Sequence, residues 1–259
     1  NILDKTACLN KNTPKEYQGL NRFVARKKLI SELKKNNKIL KIVNNKMVFP
    51  VGDRSDEIIE PLLTFQWFLD TKKISIKAKK AIKEKKIVFH PNSWINTFKY
   101  WIENIEPWCI SRQIWWGHRI PIWYSNNGLK IAAKSEEEAI DILKLKDKTD
   151  KILYQDEDVL DTWFSSALWP FSTLGWPKND KLLKNFYPSN VLVTGFDIIF
   201  FWVARMVMLG LEFMNEVPFK NIYIHPLVKD EKGQKISKSK GNVIDPLDLI
   251  EKYGSDALR

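Results

Sequence analysis

The apolar positions in the last third of the chain fall into blocks that alternate between strand-like and helix-like patterns. Val191 to Thr194 is a short β-rich run, and Phe219 to Val228 predicts a second strand. Between them lies the most apolar stretch of the sequence, Ile198 to Met214, which contains Arg205 and predicts a buried core helix. A strand, a helix and a second strand in this order are typical of a parallel, doubly wound α/β sheet.

A further helix is predicted after a polar connection that follows the second strand. Asp245 can cap it, Pro246 fits its first position, and the helix is expected to run to about Lys252. Ligands of parallel α/β sheets bind at the carboxyl ends of the strands. The predicted strands end near Gly195 and Val228, so a ligand site is expected there.

The first part of the chain, residues 1 to about 49, is polar and rich in lysine. Its apolar positions predict a helix from about Asn21 to Asn36. Two short strands, Ile39 to Val43 and Met47 to Phe49, are predicted to follow, joined at a pair of asparagines. The composition changes from Val51 onward, which indicates a boundary there.

The middle of the chain predicts two helices with recognisable first turns. Ser93 can cap a helix from Trp94 to Ile105. A second helix is predicted over Lys134 to Leu145, because Ser135 and Glu138 have the spacing of a capping box.

Composition places the chain among folded globular proteins and adds a basic surplus. Its 259 residues include eleven tryptophans and carry a formal net charge of +11. A basic surplus favours polyanions such as RNA, but lysine runs such as Lys77 to Lys86 are also typical of solvated helix faces. Charge alone therefore leaves RNA binding open.

Three further features narrow the class of protein. No run of about eighteen apolar residues is present, so neither a membrane-spanning helix nor a membrane partner is expected, and the location is expected to be cytoplasmic. The two cysteines, Cys8 and Cys109, cannot form a four-thiolate zinc site and are expected to be reduced thiols. The first residue, Asn1, is not methionine, so the chain is expected to begin inside a longer gene product.

The strongest chemical signal is the segment Lys235 to Ser239, which reads Lys-Ile-Ser-Lys-Ser and is followed by Lys240, Gly241 and Asn242. Two ammonium groups on flexible side chains can follow the charge of a triphosphate as it moves during a reaction. Hydroxyls and backbone amides add hydrogen-bond donors. A polar surface loop in a lysine-rich protein is the alternative interpretation.

This segment resembles the KMSKS signature of the class I aminoacyl-tRNA synthetases, with Ile236 in place of methionine. The surrounding sequence, Tyr223 to Pro246, resembles the valyl subgroup, although this chain has Pro226 where the family has glycine. The resemblance implies catalytic roles for Lys235 and Lys238, which would stabilise the departing pyrophosphate. It also implies that ATP is bound by His225, Ser237, Lys238 and Ser239.

Two other segments resemble the same family. Asp161 to Ser166 resembles the stretch that supplies an aromatic wall to the valine pocket, and Thr194 to Ile199 resembles the G-x-D element that binds nucleotide and ribose. The resemblance implies ATP contacts from Gly195 and Asp197 and valine contacts from Trp163 and Ile198. The alternatives are a core position for the two apolar residues and a helix cap for the aspartate.

A further segment, Trp108 to Gln113 with Trp116 to His118, resembles one shared by valyl and isoleucyl enzymes. The resemblance implies that Arg112 and His118 face the 3′ end of tRNA, and a structural role is the alternative for both. The matches together cover about residues 95 to 259, and weaker similarity extends over residues 1 to 95.

The resemblance implies an α/β fold in which residues 50–259 form the second half of a doubly wound parallel, Rossmann-like nucleotide-binding domain. Residues 1–49 are implied to be the tail of an inserted α+β editing domain. The implied activity of the longer enzyme is the activation of valine with ATP and Mg²⁺ and its transfer to tRNA(Val). The family's HIGH signature is not in the sequence, so the isolated chain is expected to be inactive. No zinc is expected, because residues 51–60 lack the cysteines that many relatives carry there.

Two other functions stay open at this point. One is an isoleucyl-type synthetase, although the run Asp197 to Met206 favours the valyl type. The other is a non-catalytic RNA-binding protein derived from a synthetase, against which the two lysines of the signature argue.

Overall fold

The computed structural model describes residues 1–52, 55–147, 149–178, 180–230, 232–234, 236, 241–243 and 245–258, with the backbone alone at residue 153. The chain divides into two compact units, residues 1–65 and residues 66–259. None of the described helices is long and apolar enough to cross a membrane. The division into an editing-domain tail and a catalytic part stays a prediction.

The first unit is built around one helix, α1 (Arg22–Lys35), which follows a 3-10 turn at Lys15–Tyr17. The side chain of Asn21 caps α1 by accepting a hydrogen bond from the backbone N–H of Phe23. The predicted helix is confirmed, but the two predicted strands are wrong. Residues 39–49, all of which are described, form no strand, and Leu40 is fully exposed. An apolar run becomes a strand only where a neighbour accepts its hydrogen bonds and covers its side chains.

The second unit contains most of the regular structure. Its described strands are β1 (Phe68–Leu69), β2 (Val88–His90), β3 (Trp108–Cys109), β4 (Ser111–Arg112), β5 (Ile122–Ser125), β6 (Lys130–Ala132), β7 (Ile152–Gln155), β8 (Val159–Leu160), β9 (Ser189–Gly195) and β10 (Phe219–His225). Its described helices are α2 (Thr71–Lys83), α3 (Trp94–Glu103), α4 (Glu136–Lys146), α5 (Thr162–Ala167), α6 (Trp169–Ser172), α7 (Lys181–Phe186), α8 (Arg205–Phe213), α9 (Pro246–Tyr253) and α10 (Ser255–Leu258).

A parallel sheet with the strand order β2-β10-β9 forms the centre of this unit. The predicted α/β class with parallel strands is therefore confirmed. In the register of β9 and β10, Gly195 lies beside His225, so the two strands end together. β10 stops at His225 rather than at Val228, because Pro226 has no N–H to continue the ladder.

The apolar stretch between β9 and β10 is helical and mostly buried, but it is not one regular helix. It starts as a 3-10 turn (Phe196–Ile198), widens into a π-helix (Ile199–Ala204) and continues as α8. The helix-cap interpretation of Asp197 is wrong, because Asp197 lies inside the 3-10 turn and Gly195 holds the N-cap position.

One hydrophobic core joins the parallel sheet to α2, α3 and α8. Its fully buried side chains include Phe89, Phe98, Ile102, Met206 and Ile222. A second, smaller core lies between α4 and the antiparallel sheet β6-β5-β7, and its buried members are Ile131, Ala133, Ala139 and Leu143.

The two predicted helix caps in the middle of the chain have different outcomes. Ser135 accepts a hydrogen bond from the N–H of Glu138 at 3.3 Å, and the Glu138 carboxylate accepts one from the N–H of Lys134 at 2.7 Å. The predicted start of α4 is thus confirmed. The predicted cap at Ser93 is wrong, because Ser93 already has helical backbone angles and its side chain makes no cap hydrogen bond. The helix still forms, since its apolar face is buried at Phe98 and Ile102.

Candidate active site

A polar face lies at the shared carboxyl end of β9 and β10. A Cβ atom added to Gly195 would lie 2.7 Å from Asp197 Oδ1, 3.4 Å from Leu227 Cδ2 and 3.7 Å from His225 Cε1. His225 Nδ1 donates a hydrogen bond to the Pro226 carbonyl at 2.8 Å, which fixes the ring. The structure therefore brings together Gly195, Asp197 and His225, three of the residues predicted to bind ATP, with the side chains of the other two packed closely around the glycine.

The segment with the lysine and serine signature is bracketed by two residues that are hydrogen bonded to each other. Asn242 Nδ2 donates to Asp230 Oδ2 at 2.8 Å. The other oxygen of Asp230 accepts from the backbone N–H groups of Lys232 and Gln234 at 3.0 and 2.7 Å. The two ends of the segment are thus held together just beyond β10. The signature residues that lie outside the described residues are Lys235, Ser237, Lys238 and Ser239.

An apolar cavity of about 480 Å³ lies between α5 and the 3-10 and π-helical segment. Its lining residues are Thr162, Trp163, Ser165, Ser166, Trp169, Ser172, Ile198 and Trp202. The structure therefore brings Trp163 and Ile198, the two residues predicted to contact valine, into one cavity. Trp202 is a lining residue that the sequence analysis missed. The available signal was its position four residues after Ile198 in a helical run, which places two side chains on one face.

Hydrogen bonding and ring stacking hold the two sides of the cavity against each other. Trp202 Nε1 donates a hydrogen bond to the Ser166 carbonyl at 3.2 Å. The ring of Trp163 stacks on Phe201, with 5.9 Å between the ring centroids. An indole ring buries a large area, and its position is set by only two side-chain torsions. A cavity lined by such rings therefore keeps its shape well.

Asp161, which precedes α5, is a buried carboxylate with several donors around it. It caps α5 by accepting from the N–H of Trp163 at 3.2 Å, and it accepts from Trp108 Nε1 at 2.8 Å. Arg112 and Arg205 both lie beside it, with N···O distances of 2.9 and 3.6 Å. Burial lowers the pKa of Arg205 to about 10, an effect that the charge of Asp161 opposes, so Arg205 stays charged near neutral pH.

The two residues predicted to bind tRNA are placed differently. Arg112 is half-buried, donates to the carbonyls of Cys109 and Ser111 at 2.9 and 2.8 Å, and pairs with Asp161. His118 is exposed, in the same segment as the exposed Trp116. The described contacts of Arg112 are thus structural, and a tRNA contact of either residue stays a prediction.

No metal site is apparent in the part of the chain that the structure describes. Within it, no group of three or more His, Cys, Asp and Glu side chains is arranged to hold a metal ion. Cys8 and Cys109 are both free thiols and lie in different units.

A family description of the tRNA synthetases of class I (I, L, M and V) matches residues 12–259. The chain belongs to the class I tRNA synthetases. The synthetases it resembles include the valine–tRNA ligase of Pelagibacter ubique (strain HTCC1062), which is 60% identical over 260 residues that cover all of this chain and 30% of that protein. The valine–tRNA ligase of Caulobacter vibrioides is 53% identical over 259 residues, with 100% and 29% covered. The chain therefore spans about 30% of the length of these relatives.

A class I synthetase is also found among similar solved structures. The methionyl-tRNA synthetase of Mycobacterium tuberculosis, bound by methionyl-adenylate, matches with a TM-score of 0.54 at 18% sequence identity. The match covers 81% of this chain and 35% of that one. At this identity the match supports the α/β fold of the synthetase core and carries no further assignment.

Proposed function

We propose that this chain is part of a valine–tRNA ligase and supplies the second half of its catalytic core. The observation that carries the proposal is the 3-10 turn at residues 196–198. There, Asp197 lies on the polar face at the strand ends and the next residue, Ile198, lines the apolar cavity. A single turn thus joins a surface suited to a nucleotide with a pocket suited to an aliphatic side chain.

ATP would lie on the polar face. Gly195 has no side chain, so the nucleotide can approach the backbone at the end of β9, and the Asp197 carboxylate can accept hydrogen bonds from the ribose hydroxyls. His225, at the end of β10, would contact the adenosine. Mg²⁺ would accompany ATP as part of the substrate complex.

The reaction would proceed in two balanced steps. In the first, a carboxylate oxygen of valine attacks the α-phosphorus of ATP, and pyrophosphate leaves with the electrons of the broken P–O bond. Lys235 and Lys238 would stabilise the charge that develops on pyrophosphate. In the second, a hydroxyl at the 3′ end of tRNA attacks the carbonyl of valyl-adenylate, and AMP leaves.

The cavity would hold the valine side chain. Its lining includes three indole rings and Ile198, which offer apolar contacts to a small branched aliphatic group, together with four residues that carry hydroxyl groups. Such a pocket distinguishes side chains that differ by one methylene by only about 1–3 kcal/mol. The preference for valine over isoleucine therefore depends on the exact separation of the cavity walls.

The test uses the protein encoded by the complete reading frame to which this chain belongs. Amino-acid-dependent ATP–pyrophosphate exchange is measured with valine, isoleucine, leucine and methionine. We expect the highest kcat/KM with valine. A preference for isoleucine would instead support the isoleucyl alternative, and RNA binding without exchange for any amino acid would support the non-catalytic one.

tRNA would bind through basic side chains, with Arg112 and His118 near its 3′ end. Electrostatic binding of a nucleic acid weakens steeply with salt, because neutralised phosphates release counterions. We expect the isolated chain to bind tRNA weakly and to lose that binding as salt rises severalfold. Binding that keeps its strength over that range would contradict a mainly electrostatic contact.

A further inference from the structure

The two sides of the apolar cavity belong to segments that are far apart in sequence. One side is α5, which carries Trp163, and the other is the 3-10 and π-helical segment, which carries Ile198 and Trp202. The hydrogen bond from Trp202 to Ser166 joins them at one point. A second connection lies where the two segments border the hydrophobic core, and it is ionic.

This second connection is the pair formed by Asp161 and Arg205. Asp161 is the residue immediately before α5, and Arg205 is the first residue of α8, immediately after the π-helix. Their side chains are 6% and 9% exposed, and Arg205 Nη1 lies 3.6 Å from Asp161 Oδ2. The pair therefore ties the start of one cavity wall to the end of the other.

Arg205 is held in place by aromatic rings as well as by charge. Its guanidinium carbon lies 3.9 Å from the centroid of the Trp108 ring and 5.6 Å from that of Phe201. Trp108 in turn donates its indole N–H to Asp161, and Phe201 stacks on Trp163. The cation, the carboxylate and the wall residue Trp163 thus form one connected cluster.

The charge on Arg205 is costly where it lies. Its neighbours in the chain, Ala204 and Met206, are fully buried, and its Nη1 atom has no hydrogen-bond partner among the described residues. Well-packed apolar side chains usually stabilise a core as much as a buried ion pair does, or more. What an ion pair adds is a fixed direction and distance between two segments.

We propose that Asp161 and Arg205 are positioning residues that set the separation of the cavity walls and thereby the selection of the amino-acid side chain. This inference rests on the proposed function, in which the cavity holds valine. Neither residue lines the cavity, so both act through Trp163 and through the helical segment that carries Ile198 and Trp202.

The experiment compares Arg205→Met and Arg205→Lys in the protein encoded by the complete reading frame. Arg205→Met keeps an apolar side chain of similar length and removes the cation, which leaves Asp161 paired with Arg112. We expect the KM for valine in the exchange assay to rise about tenfold, which is the size of a one-methylene effect, and the KM for ATP to change less than twofold. The ratio of valine to isoleucine kcat/KM should fall severalfold. Arg205→Lys should act in the same direction with a smaller effect.

The structure offers a matched control in Asp156→Asn. Asp156 is also a buried carboxylate that accepts from an indole, Trp67 Nε1, at 2.8 Å, and it accepts from the Tyr124 hydroxyl at 2.7 Å. It lies beside β7 and does not line the cavity. Asp156→Asn should lower the Tm while leaving the KM for valine and the valine-to-isoleucine ratio unchanged.

The outcomes separate the inference from the function on which it rests. If Arg205→Met folds and leaves the KM for valine and the ratio unchanged, the inference is overturned. It is also overturned if the KM for ATP rises as much as the KM for valine while the Tm falls, because that pattern indicates a general loss of structure. If Arg205→Met does not fold, Arg205→Lys decides on the same criteria.

A wild-type protein without exchange for any amino acid would refute the proposed function, and the positioning role of Asp161 and Arg205 would then be tested by structure alone. A crystal structure of Arg205→Lys should then have the distance from Trp202 Nε1 to the Ser166 carbonyl lengthened beyond 3.2 Å. An unchanged distance would overturn the inference, whatever the activity.

Discussion

The polar face at the strand ends and the apolar cavity are neighbours in space but are built in different ways. The polar face depends on strand register, which puts Gly195 beside His225, and on the absence of a Cβ at the glycine. The cavity depends on the packing of two helical segments around indole rings. The polar face should therefore be sensitive to an atom added at Gly195, and the cavity to a small shift of one helical segment against the other. The difference predicts that changes on the two sides alter different kinetic constants.

The largest effect is expected from Lys238→Ala, which removes one of the two lysines proposed to act on ATP. Because charge develops on pyrophosphate only in the transition state, losing this cation should lower kcat for adenylate formation by about 10²–10³-fold, or about 2.7–4 kcal/mol. The KM for valine should change little. Lys235→Ala should act in the same direction with a smaller effect. Pyrophosphate exchange measures both constants. An unchanged kcat with a raised KM for valine would contradict a role of the lysine on pyrophosphate.

A smaller effect is expected from Trp163→Ala, on the cavity side. In the proposed function this wall contacts bound valine and the transition state equally, so its removal should raise the KM for valine roughly 10- to 200-fold while kcat stays similar. Trp115→Ala is the matched control, because Trp115 is fully exposed and does not line the cavity. Equal effects of the two substitutions on the KM for valine would contradict the assignment of the cavity.

The next effect in size is that of Gly195→Ala. The added methyl group would lie 2.7 Å from Asp197 Oδ1, so the carboxylate must move, and we expect the KM for ATP to rise severalfold. Gly210→Ala serves as the control, because there a Cβ would meet the Tyr187 hydroxyl at 2.8 Å, away from the strand ends. It should lower the Tm and leave the KM for ATP unchanged. An unchanged KM for ATP in Gly195→Ala would mean that the nucleotide lies elsewhere.

The smallest effect defines the background against which the two sides are compared. Ser135→Ala removes the cap of α4, which packs on the smaller core, and should lower the free energy of unfolding by about 1 kcal/mol. Neither KM should change. Urea unfolding followed by circular dichroism measures the loss, and a changed KM for either substrate would mean that stability and binding are not separable here.

Short sequence patterns correctly predicted the helices that depend mainly on residues close together in the chain. The capping box at Ser135, the cap at Asp245 and the apolar stretch after Gly195 each specify an element within a few residues, and the structure has all three. The strands predicted at 39–49 failed because a strand needs a partner, and nothing in a local run of residues reveals whether one is available.

The candidate site was predictable in part for the same reason. Gly195, Asp197, Trp163 and Ile198 stood out through motifs, and the structure groups them as two pairs that meet at one turn. Trp202 was missed because only its spacing from Ile198 pointed to the cavity, and spacing alone does not show which face of a helix lines a site. The connection between Asp161 and Arg205 spans 44 residues of sequence, so only the folded chain brings it into view.

The π-helix at Ile199–Ala204 lies between two parts of the chain, α8 and Ile198, whose rotation about the helix axis is fixed independently. The core fixes which side of α8 faces inward, while the cavity fixes the direction of Ile198. Each residue of an α-helix advances about 100° around the axis, so a change of one residue between them would rotate one side against the other. The wide turns of the π-helix set the angle between the inward side of α8 and the side chain of Ile198. The insertion or deletion of a single residue within 199–204 should therefore disturb the cavity or the core, even where the inserted or deleted residue makes no contact of its own.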